Sequence, residues 1–324
     1  MISDDGATTR AKERPRRPST RPSVHPRVLE ELLLQQRLVI VDVIAGAGPG
    51  TRRLFLGDGR NSGLRLAVSI AHAAGGDEAV AHEAKALTRL DEVLPERLAG
   101  SVPQIREWVL GPRESRALVV SAVPGLPSTS QPPRRTASTR QSLDALLDWL
   151  GTLWDVTVGP PIGSELGRDP VDLALSRYRG AAKVRPAIGT LLRARGRLAQ
   201  LEVVSAMTHG CLCAKHVFIG DGRVGVDDWG LATSHGDPLR ELGRYAVDMT
   251  DHRLPEVFES RTRFAAHVRR GVCSGMELLD APTKLWRDVL LLAHFEVALT
   301  ELGRGDASRL SLLHEAVRVL PTST

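Results

Sequence analysis

Between residues 37 and 71 the chain passes through three short β-rich runs, RLVIVDVIAG, RRLFLGDG and LRLAVSIA, joined by glycine-bearing turns. Runs of this length read as strands, and connections this short favour an antiparallel meander. The next stretch, GDEAVAHEAKALTRLDEVL, changes period: Ala79, His82, Glu83, Ala86, Leu87 and Leu90 fall at helical spacings. A fourth apolar run, in SRALVVSAVPG, ends at Pro124 and Gly125, as a linker between two units would.

Beyond a polar loop at 126–140 the pattern turns helical. Leu143, Leu146, Leu147, Leu150, Leu153 and Trp154 follow the i, i+3, i+4, i+7 rule and predict a helix running through a core. Further helices are predicted around 170–182, 185–200, 238–250, 257–272, 282–302 and 307–319. One interruption, HVFI and RVGV around Gly220, Asp221 and Gly222, predicts a β-hairpin. The expected class is α+β in two lobes: a small antiparallel β lobe with one helix over 28–124, and a larger, mainly helical lobe over 125–324. With 324 residues, 42% of them hydrophobic, the chain has apolar material for one large core or two such lobes.

The net charge of +5 is concentrated near one end. Residues 1–27 carry seven basic side chains against three acidic ones, are rich in proline and show no apolar periodicity. They read as a disordered basic arm, suited at most to an acidic partner. Aromatic residues make up only 4%, which leaves no obvious stacking platform and disfavours nucleic acid as a partner. No apolar run reaches about 18 residues and the opening lacks the apolar centre of a secretory signal, so no membrane association and a cytoplasmic location are expected. Three cysteines, Cys211, Cys213 and Cys273, are too few for a disulfide framework and are expected to be thiols.

Two of those thiols lie in MTHGCLCAKHVFI, together with His209, Lys215 and His216. His209, Cys211, Cys213 and His216 are ligand types suited to zinc. On extended backbone, however, the two cysteines would point to opposite faces, and structural sites use wider spacings, so zinc is disfavoured. A nucleophilic Cys211 would need His209 or His216 as its base, and nothing else in the chain suggests acyl transfer.

The surroundings supply another reading. THGCLCAKH, the hairpin, DDWG and SHGDPLRELGRYA succeed one another in an order that resembles the catalytic region of the aminoglycoside and small-molecule phosphotransferases, relatives of protein kinases. In that family an H-G-D-x-H-x-x-N loop precedes a hairpin, then a D-W or D-F pair, then G-D-P. The resemblance covers 208–246 closely and 37–127 more loosely. It implies a two-lobed protein-kinase-like fold and ATP-dependent phosphoryl transfer, with Mg²⁺, to a hydroxyl group of a small molecule.

The same resemblance assigns positions. Gly46, Gly48 and Gly50 fall in the phosphate-covering loop, and Ala122 and Val123 in the nucleotide-binding linker. Asp228 matches the metal-binding acid, with Asp227 beside it. Glu83 matches the helix glutamate that meets a third-strand lysine, but that lysine is replaced by Ser69, leaving Glu83 either unmatched or simply solvated. The base that accepts the acceptor's proton is replaced by Cys211, and the asparagine that helps hold the metal by His216. Gly236, Asp237 and Pro238 match G-D-P, where Asp237 also reads as a helix cap and Pro238 as its first turn.

Positioned acid–base catalysis is worth about 10² to 10⁴-fold, and phosphoryl transfer further needs charge neutralisation by lysine and metal. The losses therefore weigh against ATP and Mg²⁺ as working cofactors. Lys215 is the one residue nearby that offers compensation. Three readings stand at this level: a pseudokinase binding a small-molecule ligand or a protein partner, an active ATP-dependent phosphotransferase with a rearranged site, and a cysteine- or metal-dependent function.

Overall fold

The structure, a computed structural model, describes residues 30–303 except 31–32, 36, 47, 59–62, 111–115, 129–136, 167–171, 173–184, 221, 251–253 and 260. The basic arm at 1–27 and the helix expected at 307–319 lie outside the described residues, as does nearly all of the one expected at 170–182.

The first lobe is a five-stranded antiparallel sheet of β1 (Val39–Ala45), β2 (Thr51–Gly57), β3 (Leu64–Ala71), β4 (Ile105–Leu110) and β5 (Arg116–Ser121), in the order β1-β2-β3-β5-β4. The meander of the first three strands matches the sequence expectation. β4 does not appear in it, because Arg106 and Glu107 interrupt the apolar run of IREWVL. Alternation sorts the side chains cleanly. Leu54, Leu56, Val68, Ile70, Ala117 and Val119 form one apolar cluster with Leu38, while Phe55, Ala67, Leu118 and Val120 join the main core on the other face. That second face receives α1 (Gly76–Val93), which buries Val80, Ala84, Leu87 and Leu90.

The register of β2 against β3 positions two polar side chains. Arg53 of β2 lies directly opposite Ser69 of β3, so both emerge on one face, the face of Phe55 and α1.

The second lobe is mainly helical: α2 (Ala137–Val156), α3 (Arg185–Leu198), α4 (Pro238–Met249), α5 (Leu254–Glu259), α6 (Arg263–Glu277) and α7 (Trp286–Gly303). Residues Val289 to Ala293 of α7 are fully buried, and the helix packs against α3 and α4. Among the described residues no helix is long and apolar enough to cross a membrane. Two expectations shift. The polar loop at 126–140 is shorter, because β6 (Leu126–Pro127) pairs with the hairpin β10 (Val217–Gly220) and β11 (Arg223–Val226), and α2 already starts at Ala137. The helix expected at 257–272 is two helices, because the Thr262 side chain accepts from the Ala265 N–H at 3.2 Å and starts α6 there.

Short pairs complete the lobe: β7 (Pro161–Gly163) with β8 (Glu202–Val204), and β9 (Ala206–Thr208) with β12 (Thr233–Gly236). The lobes are joined beyond the linker. Ser101, just before β4, accepts from the Val226 N–H at 2.8 Å through its carbonyl and from Trp149 Nε1 at 2.8 Å through its hydroxyl.

Candidate functional site

The loop from β9 to β10 is braced from behind. Gly210 sits at φ 80°, where a Cβ would overlap the carbonyl oxygen of Leu231, so the turn requires glycine. Glu241 of α4 accepts from the backbone N–H groups of His209 and Gly210, both at 2.9 Å, and Arg244 donates to the Gly210 carbonyl at 2.6 Å. Burial nevertheless raises the Glu241 carboxyl to about 7. His209 donates from Nε2 to the Asp227 carbonyl at 2.7 Å, and its Nδ1 accepts from the Cys211 N–H at 3.3 Å. This fixes one neutral tautomer, consistent with burial lowering its pKa to about 4. Asp237 caps α4 through the Leu239 N–H at 2.9 Å, with Pro238 in the first turn, and also accepts from Ser164 Oγ at 2.7 Å.

The cleft side of the same loop is chemically different. Cys211 is half-buried, and its side chain shares a hydrogen bond with that of Cys213. The chain bends at Cys211 and forms no strand over 211–213, and the two thiols meet instead of pointing to opposite faces as expected of extended backbone. That hydrogen bond and burial push the Cys213 thiol up, so this loop holds no thiolate there. None of the three cysteines is in a disulfide. Among the described residues no group of three or more His, Cys, Asp and Glu is placed to hold a metal ion. His216 is buried, donates from Nδ1 to the Cys211 carbonyl at 2.9 Å, and is held well below its ordinary pKa, first by burial. Its Nε2 stands 3.7 Å from Asp228 Oδ2. Asp228 is also buried and adopts φ 66°, a backbone state that costs a non-glycine residue about 1 kcal/mol or more.

Arg53, which no sequence motif singles out, stands at the centre of the buried polar cluster. Its side chain is fully buried. Nε and one terminal nitrogen grip Asp227 side-on, with Nε at 3.0 Å from Oδ2, while the other terminal nitrogen donates to Ser69 Oγ at 2.6 Å and to Glu83 Oε1 at 2.9 Å. Four of the five guanidinium N–H groups are thereby engaged with protein oxygens. Burial alone would lower its pKa, but Asp227 and Glu83 outweigh it and hold the charge. Glu83, expected to be unmatched or solvated, is instead buried; besides Arg53 it accepts from Ser69 and from the Trp229 backbone. The cation that meets Glu83 thus comes from β2, the strand next to that of Ser69. The register of β2 against β3 would have revealed this, since it places Arg53 beside Ser69.

The glycine loop closes on the same centre. Gly48 is buried against α1, where a Cβ would overlap that of Ala79, and a Cβ on Gly230 would come within 3.2 Å of the Gly48 nitrogen. Thr51 Oγ1 donates to the Gly48 carbonyl at 2.7 Å, Gly46 donates to the Thr51 carbonyl at 3.1 Å, and the Gly50 carbonyl accepts from His72 at 2.8 Å. In the linker, the Ala122 N–H donates back to Arg65 at 3.0 Å, and Val123 is buried with its side chain against Gly225. Lys215 is half-buried beside His216 and makes no hydrogen bond or ion pair with a described residue. The structure therefore gathers Gly48, Ser69, Glu83, Asp227, Asp228 and His216 into one buried seam, with Cys211 at its edge.

Comparison with known proteins agrees with this architecture. No family model and no curated protein sequence matches the chain. Among solved structures, the apo form of a thermostable mutant of aminoglycoside phosphotransferase APH(4)-Ia superposes with a TM-score of 0.57 at 12% identity, over 91% of this chain and 99% of that one. The GDP complex of wild-type aminoglycoside 2'-phosphotransferase-IIIa gives 0.57 at 14% identity, over 90% and 98%. A ternary complex of APH(4)-Ia with AMP-PNP and hygromycin B matches at 0.57 and 12%. The chain has the two-lobed, kinase-like α+β fold of these enzymes.

Proposed function

We propose that this chain is a pseudokinase: a phosphotransferase-like fold that binds a ligand or partner without transferring phosphate. One observation carries the reading. Arg53 is the β-sheet cation buried beside Asp227 and Glu83, and its donors are engaged by Asp227, Glu83 and Ser69. An arginine held in this way has one N–H left for a phosphate oxygen, and releasing it would leave two buried carboxylates unpaired. Gly48 packed on the Gly230 turn narrows the same space.

The remaining groups fit ATP and Mg²⁺ poorly. Mg²⁺ demands near-octahedral oxygen ligands, and His216 offers nitrogen where an oxygen donor is needed. Cys211 supplies no carboxylate to accept the proton of an attacking hydroxyl. Lys215 lies next to His216, and nothing in its surroundings assigns it a phosphate.

A second reading has one observation in its favour. Arg53 with Glu83 reproduces, from the adjacent strand, the ion pair that an active ATP-dependent kinase requires. The experiment that separates the two is ADP release from ATP with Mg²⁺ across hydroxylated acceptors, aminoglycosides first, for wild type and Asp228→Ala. The pseudokinase reading expects the same background from both. Turnover that saturates with an acceptor and disappears in Asp228→Ala would replace it with the active phosphotransferase.

A further inference from the structure

The polarity of His216 is fixed by its surroundings. Its Nδ1 lies 2.9 Å from the Cys211 carbonyl oxygen, which can only accept, so the Nδ1 carries the proton and Nε2 presents a lone pair. That Nε2 is buried and has no hydrogen-bond partner. It faces Asp228 Oδ2 at 3.7 Å, an acceptor opposite an acceptor. A bridging water does not suit the gap, since two hydrogen bonds of about 2.8 Å at a water's angle span roughly 4.5 Å.

A metal ion suits it better. With metal–nitrogen and metal–oxygen bonds of about 2.1 Å, a separation of 3.7 Å corresponds to a ligand–metal–ligand angle of about 120°. Adjacent ligands of an Mg²⁺ octahedron would stand about 3.0 Å apart. The hydrogen bond from Nδ1 to a backbone carbonyl is also the partner that metal-bound imidazoles habitually keep, because it fixes the ring and makes Nε2 a better donor. We propose that His216 and Asp228 form a site for a divalent transition ion of borderline softness, such as Co²⁺ or Zn²⁺, taken up without nucleotide and completed by water. The change from an amide to an imidazole at position 216 thus redirects the site from hard to borderline ions instead of simply disabling it. The site differs from the cysteine cluster considered on the sequence, since neither thiol takes part. It stands whether or not the chain transfers phosphate.

The test is titration of the full chain with CoCl₂ and, separately, MgCl₂, without nucleotide, monitored by visible absorption and calorimetry. Expected are saturation near one Co²⁺ per chain and binding at least about tenfold tighter than for Mg²⁺. Asp228→Asn and His216→Asn should each weaken Co²⁺ by about tenfold or more, and His216→Asn should erase the preference over Mg²⁺. His216→Asn retains an N–H for the Cys211 carbonyl, which guards against misfolding, and circular dichroism checks it. Wild type alone gives a further readout, since pulsed electron paramagnetic resonance of the Mn²⁺-loaded chain should reveal coupling to an imidazole nitrogen. No saturation by millimolar Co²⁺, no nitrogen coupling at full loading, unchanged binding in His216→Asn, or loss of binding on Cys213→Ser would each overturn the assignment.

Discussion

The two sides of the β9–β10 loop differ in kind. Behind the loop, His209, Glu241, Arg244 and Asp237 form a support in which every hydrogen bond closes on backbone or a matched side chain. In front of it stand the thiol of Cys211, the imidazole of His216 and the hydroxyl of Ser69, beside a buried arginine contributed by β2. Support and chemistry are therefore separable here. The front is not empty either: the carboxylates Glu83 and Asp227 keep a cationic partner, which is what burial demands of them.

The largest way to break the contrast is at Arg53. Replacing it with Met leaves Glu83 and Asp227 buried without their cation and should cost about 3–5 kcal/mol in urea unfolding, whereas exposed arginines such as Arg89 should change stability by less than about 1 kcal/mol. Arg53→Lys should fall between, because an ammonium cannot grip Asp227 side-on while reaching Ser69 and Glu83. If Arg53→Met is neutral, the front of the site is not held by this network.

The support should reveal itself through pH. His209 is neutral in the fold, with a pKa lowered to about 4 by burial between Asp227, Arg244, Lys215 and His216. The unfolded chain binds a proton at this residue below about 6.5, so the stability it contributes is complete above that pH and is lost as pH falls towards 4. The loss should reach about 3 kcal/mol. Glu241, raised to about 7, acts in the opposite sense, its contribution being complete below about 4.5 and lost as pH rises through 7. Unfolding free energies of wild type and His209→Gln between pH 4 and 7 isolate the histidine, whose removal should flatten the acid limb. Parallel curves would contradict the assigned neutral tautomer.

Smaller still is the cap of α4. Asp237→Ala removes the acceptor for Leu239, Ser164 and Glu165 and should cost about 1–2 kcal/mol, measured by thermal unfolding, with Asp237→Asn recovering part of it. A neutral Asp237→Ala would mean that the support does not depend on this helix start.

Legibility in the sequence divides along the same line. The β meander, the helix of Glu83, the hairpin around Gly222 and the capped start of α4 are readable because each rests on local periodicity or on a turn residue. β4 is not, since its polar residues hide the alternation, and the break before α6 depends on a single threonine. In the site, the places of Ser69, Cys211 and His216 are legible from the order of motifs. Arg53 is not, because its role comes from strand register and from a contact 174 residues along the chain, and neither leaves a local pattern. The neighbouring thiols escape the sequence for a related reason: their directions depend on a loop conformation that spacing alone does not reveal.

The proposed pseudokinase keeps Arg53 for the carboxylates Asp227 and Glu83 and not for phosphate, on the strength of the bonds it makes to them. Calorimetric titration of wild type and Arg53→Lys with ATP in the presence of Mg²⁺ tests this directly. The expected result is no saturable heat for either protein up to millimolar nucleotide. Micromolar binding by wild type that weakens at least about tenfold in Arg53→Lys, a change of about 1.4 kcal/mol, would show the guanidinium reaching the nucleotide and would contradict it.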